Sequence, residues 1–158
     1  TQVSIVPEKR QEITTEGGID VLAYEKDLLE IGHKLKENNI LMNLFIDPVM
    51  SQVDAAKRVR ADSIELNTGP YSENTSHEEI KNHLLKLRNA AKQSNNIGLR
   101  VFAGHGLTTN NVQRVAAIPE IEELNIGHHI ISRAVYVGME QSVKEMLNSI
   151  RKGIKLRK

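Results

Sequence analysis

Leu99-Arg100-Val101-Phe102-Ala103-Gly104-His105-Gly106 is the stretch on which the fold turns. A short, mostly apolar run passes without a break into a glycine–histidine–glycine turn. It is too short for the buried face of a helix and of the right length for a buried strand. Four other segments follow the same plan: Val3–Val6, Ile40–Ile46 (ILMNLFI), Ser63–Leu66 and Leu124–Ile126, each followed by a polar or glycine-containing turn. Helical signals lie between them. Tyr24 to Asn38 carries Leu28, Ile31 and Leu35 on one stripe. Asp47-Pro48 has the form of an N-cap followed by a first-turn proline. Ser76-His77-Glu78-Glu79 has the form of a capping box, opening a helix with Ile80, Leu84, Leu87 and Ala91 on one face. A last helix is expected from about His129 to Lys152, burying Val143, Met146, Leu147 and Ile150. Strands alternating with helices predict an α/β fold with a parallel sheet. No linker or compositional break divides residues 1–158, so a single domain is expected.

Two architectures satisfy this pattern, an open doubly wound sheet or part of a (β/α)₈ barrel. Five units suffice for the first, whereas a complete barrel typically takes about 250 residues. The chain opens on Thr1 and almost at once in a strand, which points to a segment upstream.

Composition narrows the function. The 21 basic residues nearly balance 20 acidic ones, leaving a net charge of +1 and no field to attract a polyanion. Aromatics make up 3% of the chain, too few for base stacking, so nucleic acid is not an expected partner. The basic tail Arg151, Lys152, Lys155, Arg157 and Lys158 suits a solvated helix C-terminus. There is no cysteine and no apolar run near the ~20 residues that span a bilayer. These features suit a cytoplasmic protein free of disulfides and membrane association.

In parallel α/β folds, reactive groups gather at the carboxyl ends of the strands. Those ends here are Glu8-Lys9-Arg10, Asp47, Glu65 with Asn67-Thr68-Gly69, Gly104-His105-Gly106 and Gly127-His128. Glycines before a helix either cradle an anion on backbone amides or simply make a tight turn. In barrels, the loops after the last two strands frequently bind phosphate, so position alone suggests a phosphorylated ligand. His105, between two glycines at a strand end, is suited to proton transfer. His128 is placed to meet an anion, and His129 lies one residue further into the helix. His33, His77 and His83 fall among charged helical residues and are expected at the surface. Glu65, inside an apolar strand, needs either a salt-bridge partner or a chemical task. Glu65, His105 and His128 match no closed metal-site spacing, so no metal is expected.

Longer strings carry a resemblance. Val6-Pro7-Glu8-Lys9-Arg10-Gln11-Glu12 and Thr14-Thr15-Glu16-Gly17-Gly18 resemble the fourth strand and following loop of the pyridoxine 5′-phosphate synthase family of vitamin B6 biosynthesis. Leu44-Phe45-Ile46-Asp47, Ile64-Glu65-Leu66-Asn67-Thr68-Gly69 and Ala103-Gly104-His105-Gly106-Leu107 resemble the next three strand ends. Ala117-Ile118-Pro119, Glu123-Leu124-Asn125-Ile126-Gly127-His128 and Ile130-Ile131-Ser132-Arg133-Ala134-Val135 match the last.

The resemblance implies a TIM barrel of which strands 4–8 are present, making residues 1–158 a single partial-barrel domain. It implies condensation of 1-deoxy-D-xylulose 5-phosphate with 3-amino-2-oxopropyl phosphate, giving pyridoxine 5′-phosphate, phosphate and water. It implies no cofactor, no metal and a homo-oligomer, octameric in the family. By position, His105 corresponds to the proton donor and Glu65 to the transition-state stabiliser. Thr14, Gly106, Gly127 and His128 correspond to substrate and phosphate contacts. Asn67 and Phe102 depart from the family pattern, which usually has histidine and asparagine there. The family's first three units, with a further catalytic histidine, a catalytic glutamate and phosphate-binding arginines, have no counterpart here. The chain alone is therefore expected to be inactive and, with open strand edges, prone to aggregate. A non-catalytic phosphate-binding derivative of the same barrel, or an unrelated sugar-phosphate isomerase, are the competing readings.

Overall fold

A computed structural model describes residues 1–7 and 17–157. The chain forms β1 (Gln2–Ile5), α1 (Glu25–Glu37), β2 (Leu41–Ile46), α2 (Met50–Arg58), β3 (Ser63–Asn67) and a short α3 (Gly69–Glu73). It continues through α4 (His77–Asn96), β4 (Arg100–Gly104), a short α5 (Val112–Ala116), β5 (Ile121–Asn125), α6 (His128–Val137) and α7 (Met139–Ile154). All five strands are parallel, in the order β1-β2-β3-β4-β5.

That order is not that of a doubly wound sheet and is consistent with part of a barrel. A doubly wound sheet reverses strand order at a switch point, and none occurs here. When each right-handed crossover steps to the next position in the same direction, the helices fall on one face. Packing agrees. Met42, Leu44, Ile46, Ile64, Leu66, Val101 and Ala103 are in matching register and join one buried cluster with Leu28, Val53, Leu87, Ala91, Val115 and Met146 of the helices. Fully burying an aliphatic side chain of this size is worth roughly 1.5–3 kcal/mol.

The alternate residues form the other face, and it is more polar. Asn43 Nδ2 donates to Ser4 Oγ (2.9 Å), and Ser63 Oγ donates to Asn43 Oδ1 (2.9 Å), a ladder across β1, β2 and β3. Above it lie Phe45, Glu65 and Phe102, in register with one another, and Arg100 stacks over the Phe102 ring at 5.1 Å. The rim above them holds Asp47, Asn67, Gly104 and Asn125.

Several local expectations need correction. The first strand ends at Ile5, and the last runs over Ile121–Asn125, beginning three residues before the apolar triplet that marked it. Asp47 does not cap α2, whose N-cap is Val49. Its Oδ1 accepts instead from Gly18 N (3.2 Å) and Asn67 Nδ2 (2.9 Å), tying the rim of β2 to that of β3. Ser76 does cap α4, accepting from Glu79 N, but the return bond of a capping box is replaced by Ser76 N donating to Asn74 Oδ1 (3.1 Å). The expected last helix is two helices, broken at Gly138 (φ +82°), a backbone conformation that disfavours any residue with a Cβ.

The stripes also shift. Leu147 and Ile31 are exposed, at 42% and 40%. Helix α7 buries Ser142, Met146, Ser149 and Gly153 instead. Gly153 lets it lie close to α5: a Cβ there would stand 2.3 Å from Gln113 O and 2.8 Å from Ala116 Cβ. No helix of the described residues is long and apolar enough to cross a membrane.

Candidate active site

The carboxyl ends of β3, β4 and β5 meet at a cleft of about 600 Å³, bounded by Glu73, His105, Gly106, Asn125, Gly127 and the two histidines that open α6. Strand β4 ends at Gly104, and the next two residues both take positive φ, His105 at +84° and Gly106 at +71°. The turn is held from β3 and α3. Thr68 N donates to Gly104 O (2.8 Å), the Thr68 hydroxyl donates to the carbonyls of Gly104 and His105, and Ser72 Oγ reaches His105 O at 3.4 Å. The His105 ring stands 6.4 Å from that of Phe45, centroid to centroid, and its Nε2 lies 4.0 Å from Glu73 Oε1.

Glu65 rises from β3 toward the same rim. A Cβ at Gly104 would fall 2.3 Å from Glu65 Oε1, so the carboxylate occupies space that only a glycine leaves open. Its other oxygen, Oε2, accepts from Asn125 Nδ2 at 2.7 Å. Burial pushes the Glu65 carboxyl above its ordinary value, the Asn125 hydrogen bond opposes that, and the charge of Glu123 adds to it. The salt bridge considered for Glu65 is thus replaced by a neutral amide partner.

On the far side, α6 begins at His128 with Gly127 as N-cap and no side-chain cap. Gly127, His128 and His129 line the cleft, and the first amides of a helix, which have no intrahelical acceptor, favour anions. His128 is exposed at the mouth of the cleft. His129, which its place further into the helix made less promising, also lines it, with Nε2 3.4 Å from Thr109 Oγ1.

The structure therefore brings His105, Gly106, Gly127 and His128 to one cleft, with Glu65 tied to its wall through Asn125. Thr14 lies outside the described residues, as do Glu8, Lys9 and Arg10. His33 and His77 are exposed, whereas His83 is half-buried and stands 3.8 Å from Glu79. Sequence reasoning gave no role to Asn125 or Glu73, and noted Thr68 only as part of a strand-end turn. An asparagine ending a strand reads as a turn former, and nothing local signals that it reaches two strands across. Among the described residues, no three His, Asp or Glu side chains are grouped to hold a metal ion.

Fold and site together define a parallel α/β protein of sequential strand order, with titratable side chains and an uncapped helix N-terminus gathered at the carboxyl ends of the last strands. The chain belongs to the family described as pyridoxal phosphate biosynthesis protein PdxJ, whose profile matches residues 1–152. It is 49% identical over 144 residues to the pyridoxine 5′-phosphate synthase of Sulfurihydrogenibium sp. (strain YO3AOP1), covering 91% of this chain and 59% of that protein. The synthase of Syntrophotalea carbinolica is 51% identical over 144 residues, covering 91% and 60%. That of Akkermansia muciniphila is 46% identical over 149 residues, covering 94% and 60%. The chain thus spans about 60% of the length of the curated relatives it matches. A chain in the crystal structure of the Amycolatopsis orientalis BexX/CysO complex superposes with a TM-score of 0.50 at 14% identity, over 79% of this chain and 50% of that one, a likeness of fold alone.

Proposed function

We propose that β1–β5 are the fourth to eighth strands of a (β/α)₈ barrel, that residues 1–158 form one partial-barrel domain, and that its cleft is the carboxyl-terminal part of a pyridoxine 5′-phosphate synthase site. The observation that carries this reading is the convergence of His105, Gly106, Gly127 and His128 on one cleft, in a chain 46–51% identical to proteins of that name. The reaction joins 1-deoxy-D-xylulose 5-phosphate to 3-amino-2-oxopropyl phosphate and releases phosphate and water.

The parts suit that chemistry. Imine formation, phosphate loss, dehydration and ring closure each move a proton. The His105 imidazole, accessible on the cleft wall, serves as proton donor. Glu65, tied to the cleft wall through Asn125, stabilises the positive charge that develops on nitrogen in the transition state. The amides of Gly106, Gly127 and His128 bind phosphate, and Thr14, between β1 and α1 in the sequence, contributes a substrate contact. The residues provide this without metal or organic cofactor. In this reading the working protein is a cytoplasmic homo-oligomer whose partners are small phosphorylated molecules, with neither nucleic acid nor membrane among them.

The 158 residues carry only part of the site, because each general acid or base typically supplies about 10²–10⁴-fold and the relatives draw on a further 40% of their length. The test is the two-substrate assay on the purified chain, alone and mixed with the first three βα units of a relative. Product is expected only from the mixture. Turnover by the chain alone would refute the divided site. Phosphate binding without product from the mixture would favour a non-catalytic derivative of the barrel.

A further inference from the structure

We propose that Asn125 is a positioning residue: its side-chain amide, reaching across the gap left by Gly104, holds the Glu65 carboxylate in one orientation at the cleft wall. The inference rests on the reading of Glu65 as a functional carboxylate, and it assigns Asn125 a task that neither the fold nor the phosphate contacts require.

The geometry is specific to three adjacent strands. Asn125 on β5 pairs in register with Gly104 on β4, and Gly104 pairs with Asn67 on β3. Glu65 starts one layer below, in register with Phe102, and must extend upward to reach that level. Any side chain at position 104 would block it, since a Cβ there lies 2.3 Å from Glu65 Oε1 and 3.2 Å from Asn125 Cβ. With glycine in place, Asn125 Nδ2 closes the span at 2.7 Å. Asn125 also lines the cleft itself, so a ligand there meets the amide that orients the carboxylate.

The electrostatics give the contact consequence. Among the described residues, the charged or titratable groups on or next to the strands beside Glu65 are Asp47 after β2, Arg100 and His105 on or after β4, and Glu123 on β5. Arg100 is engaged by Glu122 at 2.9 Å and by the Phe102 ring. Burial and Glu123 both favour a protonated Glu65, and the Asn125 bond is the influence that opposes them. An amide donor stabilises the carboxylate form, because that form is the better acceptor.

The test is a pH titration of the isotopically labelled protein, following the Glu65 side-chain carboxyl carbon and the Asn125 side-chain amide protons by NMR. In the unaltered protein both signals should move with one midpoint. In Asn125→Leu, which keeps the γ-branched shape and removes the donor, the Glu65 midpoint should move to higher pH. An Asn125 amide that does not follow Glu65 would overturn the proposal without need of any variant. So would a folded Asn125→Leu protein whose Glu65 midpoint is unmoved. In the complemented assay, Asn125→Leu should lower kcat by about 10- to 100-fold, the loss expected for one hydrogen bond to a charged group, and shift the acid limb of the profile upward. If the NMR midpoint shifts while the kcat profile does not, the synthase role of Glu65 fails and the positioning of its carboxylate stands.

Discussion

Adding one methyl group at Gly104 should damage the site and the fold together. The new Cβ would stand 2.3 Å from Glu65 Oε1, 2.9 Å from the main-chain oxygen of Asn125 and 3.2 Å from Asn125 Cβ. The carboxylate can swing aside, but only by giving up its 2.7 Å bond to Asn125 Nδ2. The Asn125 carbonyl belongs to β5 and can move only if the strand does. Loss of a hydrogen bond to a charged group costs roughly 1.5–3 kcal/mol, and overpacking typically adds about 1–3 kcal/mol. Asn125 is solvent-accessible, which favours the lower ends, so Gly104→Ala should destabilise by about 2–4 kcal/mol. For a domain of this size that is roughly 5–15 °C in Tm. Thermal unfolding followed by circular dichroism at neutral pH reads it directly, and Gly127→Ala is the comparator, because nothing lies within 4 Å of a Cβ there. If Gly104→Ala melts within about 2 °C of the unaltered protein, the close approach of Glu65, Gly104 and Asn125 does not exist as described.

Three further perturbations test other parts of the structure. Gly153→Ala should lift α7 from α5, since the methyl would meet Gln113 O at 2.3 Å. A loss of about 1–3 kcal/mol should appear as a lower urea midpoint at unchanged slope, and an unchanged midpoint would mean the helices are further apart. Glu65→Gln should alter the pH dependence of stability. The Glu65 carboxyl is raised in the folded state, so the native protein holds its proton to higher pH than the unfolded chain does. Stability is therefore lost as pH rises through the ordinary carboxylate value toward the folded one. The variant should match the unaltered protein in acid and melt higher at neutral pH, and the opposite order would disprove the sign. His105→Gly should be more stable than His105→Ala by about 1 kcal/mol, because the backbone at φ +84° suits glycine alone, while both lose turnover in the complemented assay. Equal melting would show that the left-handed backbone carries no strain.

The sequence was informative where a short apolar run stood by itself. Ile40–Ile46 is too short for a helix, and β2 covers all of it but Ile40. Sequence left open whether the sheet is singly or doubly wound, because that depends on which strands are neighbours, and only the order β1-β2-β3-β4-β5 settles it. Helix faces were misjudged where large apolar residues were assumed to point inward. In α7, close packing on α5 favours Gly153, Ser142 is buried with its hydroxyl donating to Ile130 O of α6, and Leu147 is left outside. Gly138 falls inside the single helix expected from His129 to Lys152, yet its positive φ ends α6 and starts α7. In the site, His105 and Gly106 stood out because an unusual residue lies between glycines. Asn125 did not, since its meaning comes from Glu65, 60 positions earlier in the chain.

The turn after β4 shows how the strand end becomes a site. A strand feeding a helix would ordinarily carry its next side chain outward with the loop. Here two successive residues with positive φ reverse the chain, and the His105 ring comes back over the rim beside Phe45. For a residue with a Cβ that conformation costs roughly 1–2 kcal/mol, so something must hold it. Thr68, fully buried, does so with both its main-chain N–H and its hydroxyl, and Ser72 adds a longer bond to the same peptide. Gly106 completes the reversal at a point where a Cβ would press to 2.7 Å from Ser72 Cβ. Glycine at 105 would fit the backbone without strain and leave no imidazole in the cleft. The strain, its clamp and the flanking glycines are therefore best understood together, as the cost and the means of presenting one titratable ring at the carboxyl end of a strand.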